Sequence, residues 1–276
     1  MTFIIKGRKN IYQMIKKYIV YTLLCFIPQT SLLAITPIKA ICFDVETVLE
    51  TDDMRAANYV GKVDSLRYLR QVGHLPCQKD LFAQLMKAPA ESTEYTYNNE
   101  LRMPLIFSDW LMSVQPAPVL LTKILNFLQS SKISDIEKTI FSNIIKMMFT
   151  PTSLIDTRKV IKPTEQLLNQ LKQKGYKLYL TGNWIHVDVL RQNFDKLLTN
   201  FSGIFVSGKL QELKPSQDFY TAVLQNIHLT AADVLWIERE SHFVSKAKQY
   251  NLNMILYNPK HVKDTVKELQ QFGINV

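Results

Sequence analysis

Cysteine is scarce in this sequence, and its scarcity excludes two classes of protein. The 276 residues contain three cysteines, Cys25, Cys42 and Cys77. Their number and spacing fit neither a small disulfide-stapled domain nor a zinc site. Cys42 lies in an apolar run, where a free thiol is usually a small buried hydrophobe. A disulfide between Cys42 and Cys77 is therefore possible but not favoured.

Dense positive charge is absent beyond the first 34 residues. The formal net charge is +9, but residues 1–34 hold five basic residues and no acidic one, which leaves 28 basic and 24 acidic residues in the remainder. No stripe of lysine and arginine with interleaved aromatic residues follows, so we expect no nucleic-acid partner. The sequence has no internal repeat or low-complexity tract, and 47% hydrophobic with 21% charged residues is typical of a globular protein.

Residues 1–34 have the pattern of a secretory signal. A basic stretch up to Lys17 precedes an apolar run at 18–27, and Pro28 and the small residue Ala34 follow it. The run is shorter than the ~20 residues that span a bilayer, so we predict export, to the periplasm or outside the cell. Leu32, where cleavage prefers a small residue, keeps two alternatives open. Residues 18–34 would then form an uncleaved membrane anchor with residues 35–276 facing outward, or a buried helix.

The second half of the chain alternates between short apolar runs and helical patterns. A parallel sheet with helices on both faces is the fold that such alternation predicts. A further strand stands well upstream, and the length suits one α/β domain with a large insertion. The predicted strands are 38–43, 176–180, 203–207, 234–237 and 254–257, and the helices between the later strands are 186–198, 217–227, 241–250 and 262–272.

More than a hundred residues after the first strand show no such alternation and have helical patterns instead. We predict an α-helical insertion at 53–150, with the α/β core formed by 35–52 and 151–276. Its predicted helices are 54–71, 79–87, 105–113, 119–130 and 134–149, and the polar stretch 89–102 is predicted to be a loop.

Polar residues follow the predicted strands at the edge where ligands bind in such sheets. Taken singly, each has a simpler explanation: a turn cap for the first acid, a helix N-cap for the threonine, and an ordinary surface position for the lysine. In chain order the residues are Asp44, then Thr181-Gly182-Asn183, then Lys214-Pro215, and then Glu238.

This ordered set resembles the haloacid-dehalogenase-like (HAD-like) hydrolase superfamily. The match covers residues 38–49 and about 160–257, and the helical insertion resembles the cap that this family carries after its first strand. Residues 54–149 have no sequence match that we can name. The resemblance implies a Rossmann-like parallel sheet with an α-helical cap.

The resemblance also implies a role for each strand-end residue. Asp44 corresponds to the nucleophile that attacks phosphorus, and Glu46 to the acid and base two positions on. Thr181, with Gly182 and Asn183, corresponds to the group that holds the phosphoryl oxygens. Lys214 corresponds to the lysine that steadies nucleophile and phosphate, for which Lys209 is a less favoured substitute. The implied cofactor is Mg²⁺, held by Asp44, the backbone carbonyl of Glu46, and Glu238.

Two residues depart from the family pattern. Glu46 stands where a second aspartate is usual, and Arg239 stands where a further acid normally supports the metal. A fixed positive charge opposes a dication. Three outcomes are open: Arg239 points outward while Glu240 supplies the charge, Arg239 takes over part of the metal's role in binding phosphate, or the site no longer turns over.

Three functions follow from these observations. The leading prediction is a Mg²⁺-dependent hydrolase of a small phosphomonoester, with Asp44, Glu46, Thr181 and Lys214 in the chemistry and Arg239 among the substrate-binding residues. The alternative is a catalytically degraded HAD-like scaffold that serves as a phosphate-binding or interaction protein. A third possibility is dehalogenation, which uses an aspartate nucleophile without a metal. Membrane contact is expected only through the N-terminal segment.

Overall fold

The computed structural model describes residues 37–90, 103–185 and 187–276. The predicted signal or anchor at 1–34 lies outside the described residues, as does most of the predicted loop at 89–102. Among the helices in the described part of the chain, none is long and apolar enough to cross a membrane.

Five parallel strands form the central sheet, in the order β5-β4-β1-β6-β7. The predicted α/β sheet is thereby confirmed, with strand ends shifted by one or two residues. The three central strands are almost fully buried because helices cover both faces, which explains their continuous apolar sequences. In chain order the strands of the described residues are β1 Ala40–Asp44, β2 Leu49–Thr51, β3 Arg158–Val160, β4 Lys177–Gly182, β5 Gly203–Val206, β6 Val234–Glu238 and β7 Asn253–Leu256.

Two hydrophobic clusters enclose this sheet. One packs Phe43, Leu180 and Ile237 against helices on one face, and the other packs Cys42 and Trp236 against the opposite face. Alternate residues of each strand point to opposite faces, so neighbouring residues such as Cys42 and Phe43 join different clusters. The helices of the core are Val45–Val48, Lys162–Gln173, Val187–Leu198, Ser207–Leu210, Gln217–Ile227, Ser241–Lys248 and Val262–Gln271.

The insertion between β2 and β3 is helical, as predicted, and has a hydrophobic cluster of its own. One predicted boundary is wrong: the single helix at 54–71 is two helices, because Gly61 adopts a φ of 96° that ends the first of them. The helices are Asp53–Val60, Lys62–Val72, Gln78–Leu85, Leu105–Leu111, Ala117–Ser130, Asp135–Phe149 and Pro151–Asp156.

Two short strands, β2 and β3, flank the insertion and are not among the predicted strands. β2 and β3 pair antiparallel, with Thr51 opposite Arg158, and form a small ribbon through which the chain enters and leaves the insertion. Each strand has three residues, too few to give a period-2 pattern.

The predicted helix at 217–227 is confirmed, and Lys214-Pro215 lies before it. The helix begins at Gln217, and the Ser216 hydroxyl caps it by accepting a hydrogen bond from the Phe219 amide at 3.1 Å. A side-chain cap defines the helix start here better than proline does. Lys214 therefore lies in the loop before the helix.

Candidate active site

Asp44 is the last residue of β1 and is buried. Its Oδ1 accepts a hydrogen bond from the Glu46 amide at 2.7 Å, which caps the short helix Val45–Val48. Its Oδ2 contacts the Lys214 ammonium. One carboxylate oxygen therefore caps a turn and the other contacts Lys214, while the role of Asp44 as nucleophile stays a prediction.

Lys214 joins two acids at the centre of the site. Its Nζ contacts Asp44 Oδ2 and lies 2.5 Å from Glu238 Oε2, and all three side chains are at most 7% exposed. Burial alone would lower the pKa of Lys214, but the carboxylates of Asp44 and Glu238 raise it. The ammonium is therefore firmly protonated and acts as a fixed positive charge.

The Asn183 side chain makes two hydrogen bonds to the backbone of Lys214, and these hold the loop that contains Lys214 in place. Its Nδ2 donates to the Lys214 carbonyl at 3.0 Å, and its Oδ1 accepts from the Lys214 amide at 2.8 Å. Its side-chain amide thus positions Lys214, while its predicted part in substrate binding stays a prediction. Lys209, the less favoured substitute, is exposed.

Glu238 ends β6 with both carboxylate oxygens engaged. Oε2 meets Lys214, and Oε1 accepts from the backbone amides of Arg239 at 2.7 Å and Glu240 at 3.3 Å. Burial, followed by the charge of Asp44, raises the pKa of Glu238 to about 7. Two buried carboxylates share one ammonium, so the second negative charge is only partly compensated.

Thr181 and Gly182 lie beside the nucleophile. Thr181 pairs with Asp44 in the β1–β4 register and is buried, with its hydroxyl 3.3 Å from the Phe43 carbonyl. A Cβ on Gly182 would come within 3.0 Å of Val45 Cγ2 and 3.4 Å of Asp44 Oδ2. Glycine at this position lets β4 pack closely against the Val45 side chain, next to the Asp44 carboxylate.

Glu46 has contacts that its sequence position did not reveal. Its Oε2 accepts from Arg158 Nη1 at 3.2 Å, and the carboxylate is partly exposed. Removal from bulk water raises the pKa of Glu46, and the charge of Arg158 opposes that increase. A carboxyl with a raised pKa keeps its proton to higher pH, as a general acid must.

Arg239 points into the site and not outward. Its Nη1 donates to the backbone carbonyl of Glu46 at 3.2 Å. Glu240 is exposed, and its amide donates to Glu238. The first of the three outcomes predicted for Arg239 is therefore wrong.

Arg158 is the residue of this site that sequence reasoning missed. It lies on β3, where its Nη1 donates to Glu46 Oε2 and, at 2.9 Å, to Thr51 Oγ1, and its guanidinium lies 5.0 Å from the centre of the Trp184 ring. Among the described residues, its buried Nε has no hydrogen-bond partner. The residues predicted for the site follow the core strands, whereas β3 belongs to a separate two-stranded sheet, so no sequence signal pointed to Arg158.

The oxygen atoms expected to hold Mg²⁺ do not fit the ion as they are arranged. Mg²⁺ binds oxygen at ~2.1 Å, so an ion on the Glu46 carbonyl would lie within about 5 Å of the Arg239 guanidinium. At that distance a dication and a unit charge repel by roughly 7 kcal/mol at an effective dielectric constant of ~20. Asp44 and Glu238 are meanwhile both in contact with Lys214.

A second polar cluster lies in the helical insertion. Ligand atoms of His74, Cys77 and Asp80 lie within 4.8 Å of one another. The Asp80 carboxylate accepts from the Cys77 amide and thiol, both at 3.2 Å, and from the Tyr68 hydroxyl at 3.1 Å. These contacts cap the helix Gln78–Leu85, so they have a structural explanation without a metal.

Comparison with known proteins assigns the fold. No family model matches, and no curated protein sequence is similar. A HAD family enzyme from Bacteroides thetaiotaomicron superposes with a TM-score of 0.53 at 14% identity, over 81% of this chain and 95% of that one. A protein described as a predicted HAD-like family hydrolase from Porphyromonas gingivalis gives a TM-score of 0.48 at 13% identity, over 84% and 98% of the two chains. The Bacteroides enzyme has also been crystallised with magnesium and inorganic phosphate.

Proposed function

The chain has the fold of the HAD-like hydrolases, and from this premise we propose that it hydrolyses small phosphomonoesters with Asp44 as nucleophile. One observation carries the proposal: a buried lysine, Lys214, contacts both Asp44 and Glu238 at the carboxyl edge of the sheet. A fixed ammonium at this position holds the Asp44 carboxylate in one orientation. It also supplies positive charge for a phosphoryl group arriving beside it.

The proposed reaction has two steps at phosphorus. In the first, an Asp44 oxygen forms a bond to phosphorus while the bond from phosphorus to the alcohol oxygen breaks, and Glu46 gives its proton to the departing alkoxide. In the second, Glu46 takes a proton from water, the water oxygen bonds to phosphorus, and the bond to Asp44 breaks. Inorganic phosphate leaves, and Glu46 is protonated again. The raised pKa of Glu46 supports both of its roles.

The predicted Mg²⁺ dependence has mixed support. The Bacteroides enzyme with this fold binds magnesium and phosphate, and Asp44 and Glu238 are carboxylates of the kind that Mg²⁺ prefers. Arg239, however, contacts the third expected ligand, the Glu46 carbonyl. We therefore assign no reaction step to a metal in this chain.

One observation favours a second candidate function, in which the site binds phosphate without turning it over. Arg239 replaces an acid that the family pattern expects, and its guanidinium contacts the backbone of Glu46, the proposed acid and base. A guanidinium binds phosphate well through paired N–H groups but does not transfer protons at neutral pH. A phosphate-binding or interaction protein would retain every contact described above.

Two further parts of the proposal concern the rest of the chain. We propose that the helical insertion acts as a cap and selects the substrate, because both of its connections to the core run through the β2–β3 ribbon beside Glu46. We also propose that residues 1–34 direct the protein out of the cytoplasm, so that the substrate is an extracytoplasmic phosphomonoester.

Replacing Asp44 tests the hydrolase. We expect Asp44→Asn to lower phosphate release from a panel of phosphomonoesters by at least about a thousandfold, since a neutral amide is a poor nucleophile. After an acid quench, the wild type alone should show a covalent phosphoryl adduct in its intact mass.

Asp233→Asn is the matched control. Asp233 is about as buried as Asp44 but precedes β6 and lies at the opposite edge of the sheet, so this variant should retain activity at a temperature where it is folded. Equal rates for the wild type and Asp44→Asn would refute the hydrolase, and phosphate binding without any turnover would favour the second candidate.

A further inference from the structure

We infer that the Arg239 guanidinium takes the place of the divalent cation, so that this site binds phosphate without a metal. The inference rests on the proposed function only in assuming that the site receives a phosphoryl group. It makes Arg239 a direct ligand of the phosphate oxygens, beside Lys214.

The position of Arg239 is fixed at both of its ends. Its backbone amide donates to Glu238 Oε1 at 2.7 Å, and its Nη1 donates to the Glu46 carbonyl at 3.2 Å. These are two of the groups expected to ligate Mg²⁺, so one residue contacts both without a metal between them. A guanidinium tied to the backbone in this way is preorganised, which reduces the entropy lost when a ligand binds.

Basic side chains already contact the acidic residues of the site. The Lys214 ammonium contacts Asp44 and Glu238, and the Arg158 guanidinium contacts the Glu46 carboxylate. The Arg239 guanidinium contacts the backbone carbonyl of Glu46. The two guanidiniums together carry the two positive charges that one Mg²⁺ would supply. A dication added to this set would compete with Lys214 for Asp44 and Glu238 and would lie close to Arg239.

Arg239 can also be reached from solvent. It is half-buried, and it also lines an open cleft of about 390 Å³ with Tyr257 and Pro259, whose lining does not include Asp44, Lys214 or Glu238. A guanidinium has five N–H donors in a planar fork, and the contact with Glu46 uses one of them. The fork geometry suits two oxygens of one phosphate, which an ammonium cannot grip in the same way.

Calorimetric titration of the full chain with inorganic phosphate tests the inference. For the wild type we expect the same Kd, within about twofold, in EDTA and in excess MgCl₂, and no binding heat for MgCl₂ alone. Arg239→Ala should weaken phosphate binding by about tenfold or more, because it removes a charge-assisted bidentate contact. Arg239→Asp should lose binding in EDTA and regain it with MgCl₂, since it restores the carboxylate that a metal needs.

Arg191→Asp is the matched control for the change in charge. Arg191 is exposed on the helix Val187–Leu198, so this variant should bind phosphate as the wild type does. If Arg239→Asp does not fold, the titrations of the wild type and of Arg239→Ala still test the inference. Phosphate binding by the wild type only in MgCl₂, undiminished binding by Arg239→Ala, or no phosphate binding in either buffer would overturn the inference.

The two proposals can fail separately. Metal-free phosphate binding without Asp44-dependent hydrolysis would refute the hydrolase and leave the role of Arg239 standing. Hydrolysis that depends on both Asp44 and Mg²⁺ would support the hydrolase and refute the role of Arg239.

Discussion

At the scale of single residues, two lysine–carboxylate pairs lie at opposite edges of the same sheet and have different roles. Lys214 and Asp44 are both buried, at the carboxyl edge. Lys39 and Asp233 are 2.8 Å apart at the other edge, where the lysine is 56% exposed. The first pair places a fixed charge at the reaction centre. The second ties the chain before β1 to the turn before β6, and its contribution is to stability.

The Asp233 carboxylate gives a prediction for acid stability. Hydrogen bonds from Lys39 and Thr230 lower its pKa from 3.8 to about 2. A carboxyl whose pKa is lower in the folded state stabilises the fold above its unfolded pKa, and this stabilisation is lost as the pH falls through the folded value. We expect Asp233→Asn to be less stable than the wild type at pH 7, with the difference shrinking between about pH 4 and pH 2. Urea unfolding across this range measures it.

Asp264→Asn is a suitable control, because it breaks an ion pair with Lys267 in which both side chains are more than 60% exposed. Such pairs contribute little, so this variant should follow the wild type at every pH. A stability difference for Asp233→Asn that stays constant down to pH 2 would contradict the prediction.

The sequence allowed the residues at the strand ends to be predicted, but not the directions of all their side chains. Asp44, Thr181 and Glu238 lie at one edge because parallel strands end there. Lys214 reaches the same edge from the loop before the helix Gln217–Ile227. Arg239 contacts a carbonyl 193 positions away, and the Glu46 carboxylate contacts Arg158 at a separation of 112. Contacts of this kind depend on packing and on loop paths that no local pattern encodes.

At the scale of elements, the short helix Val45–Val48 contains Glu46 and is held by a hydrogen bond from Thr164. The Thr164 hydroxyl lies 2.7 Å from the Thr47 carbonyl, to which it donates, and 2.6 Å from the Tyr257 hydroxyl. Thr164 is fully buried in the helix Lys162–Gln173. One side chain thus joins that helix, the helix after Asp44 and the segment after β7.

Thr164→Val tests this junction with little change of shape. We expect a loss of about 1–3 kcal/mol of unfolding free energy, because two buried polar groups lose their partner. We also expect a lower kcat with little change in KM, since Glu46 is less firmly placed. Chemical denaturation and steady-state kinetics give the two readouts.

Thr157→Val is the comparison variant. Thr157 is equally buried, but its hydroxyl donates to the local carbonyl of Leu154 at 2.8 Å. It should cost stability without the selective loss of kcat. If both variants behave alike in the kinetic assay, Thr164 has no positioning role.

Helices and strands could be predicted where the apolar pattern covers enough residues to show its period. The five core strands and most helices follow from apolar patterns of four residues or more. The β2–β3 ribbon was missed because its strands are shorter, and the break at Gly61 was missed because the apolar pattern continues across it. A glycine within such a pattern is tolerated in many helices, and only the φ of 96° shows that this one ends the helix.

At the scale of the whole molecule, much of the positive charge belongs to residues 1–34. Those residues account for +5 of the net +9. If they are a signal, the mature protein is nearly balanced in charge, with the rest of the basic excess spread over 242 residues, 35–276. The basic isoelectric point then describes the precursor more than the working protein.

Expression of the full chain in a bacterial host tests this. We expect a mature protein outside the cytoplasm that begins near residue 35, by intact mass and N-terminal sequencing. Leu23→Arg should block export because it interrupts the apolar run. Leu66→Arg, an equal change at a residue that is 56% exposed in the insertion, should not. A full-length chain in the membrane fraction would instead indicate an anchor.

The fold class could be predicted from the sequence, but the substrate could not. Strand–helix alternation determines the layers of an α/β core, so the fold class followed from the sequence. No comparable rule predicts how the helices of the insertion pack. They form a hydrophobic cluster that includes Leu213, from the loop before the helix Gln217–Ile227. The shape of any substrate pocket there depends on that packing and not on a motif.

The β2–β3 ribbon has a consequence for how such a protein can diversify. Thr51 and Arg158 are paired across it, so the two ends of the insertion are about 5 Å apart. A segment whose ends nearly touch can be lengthened, shortened or exchanged for another without any strand of the sheet moving. Arg158 lies on the core side of that junction, so its contact with Glu46 would persist through each exchange. Evolution can therefore try new specificities above a charge arrangement that stays the same.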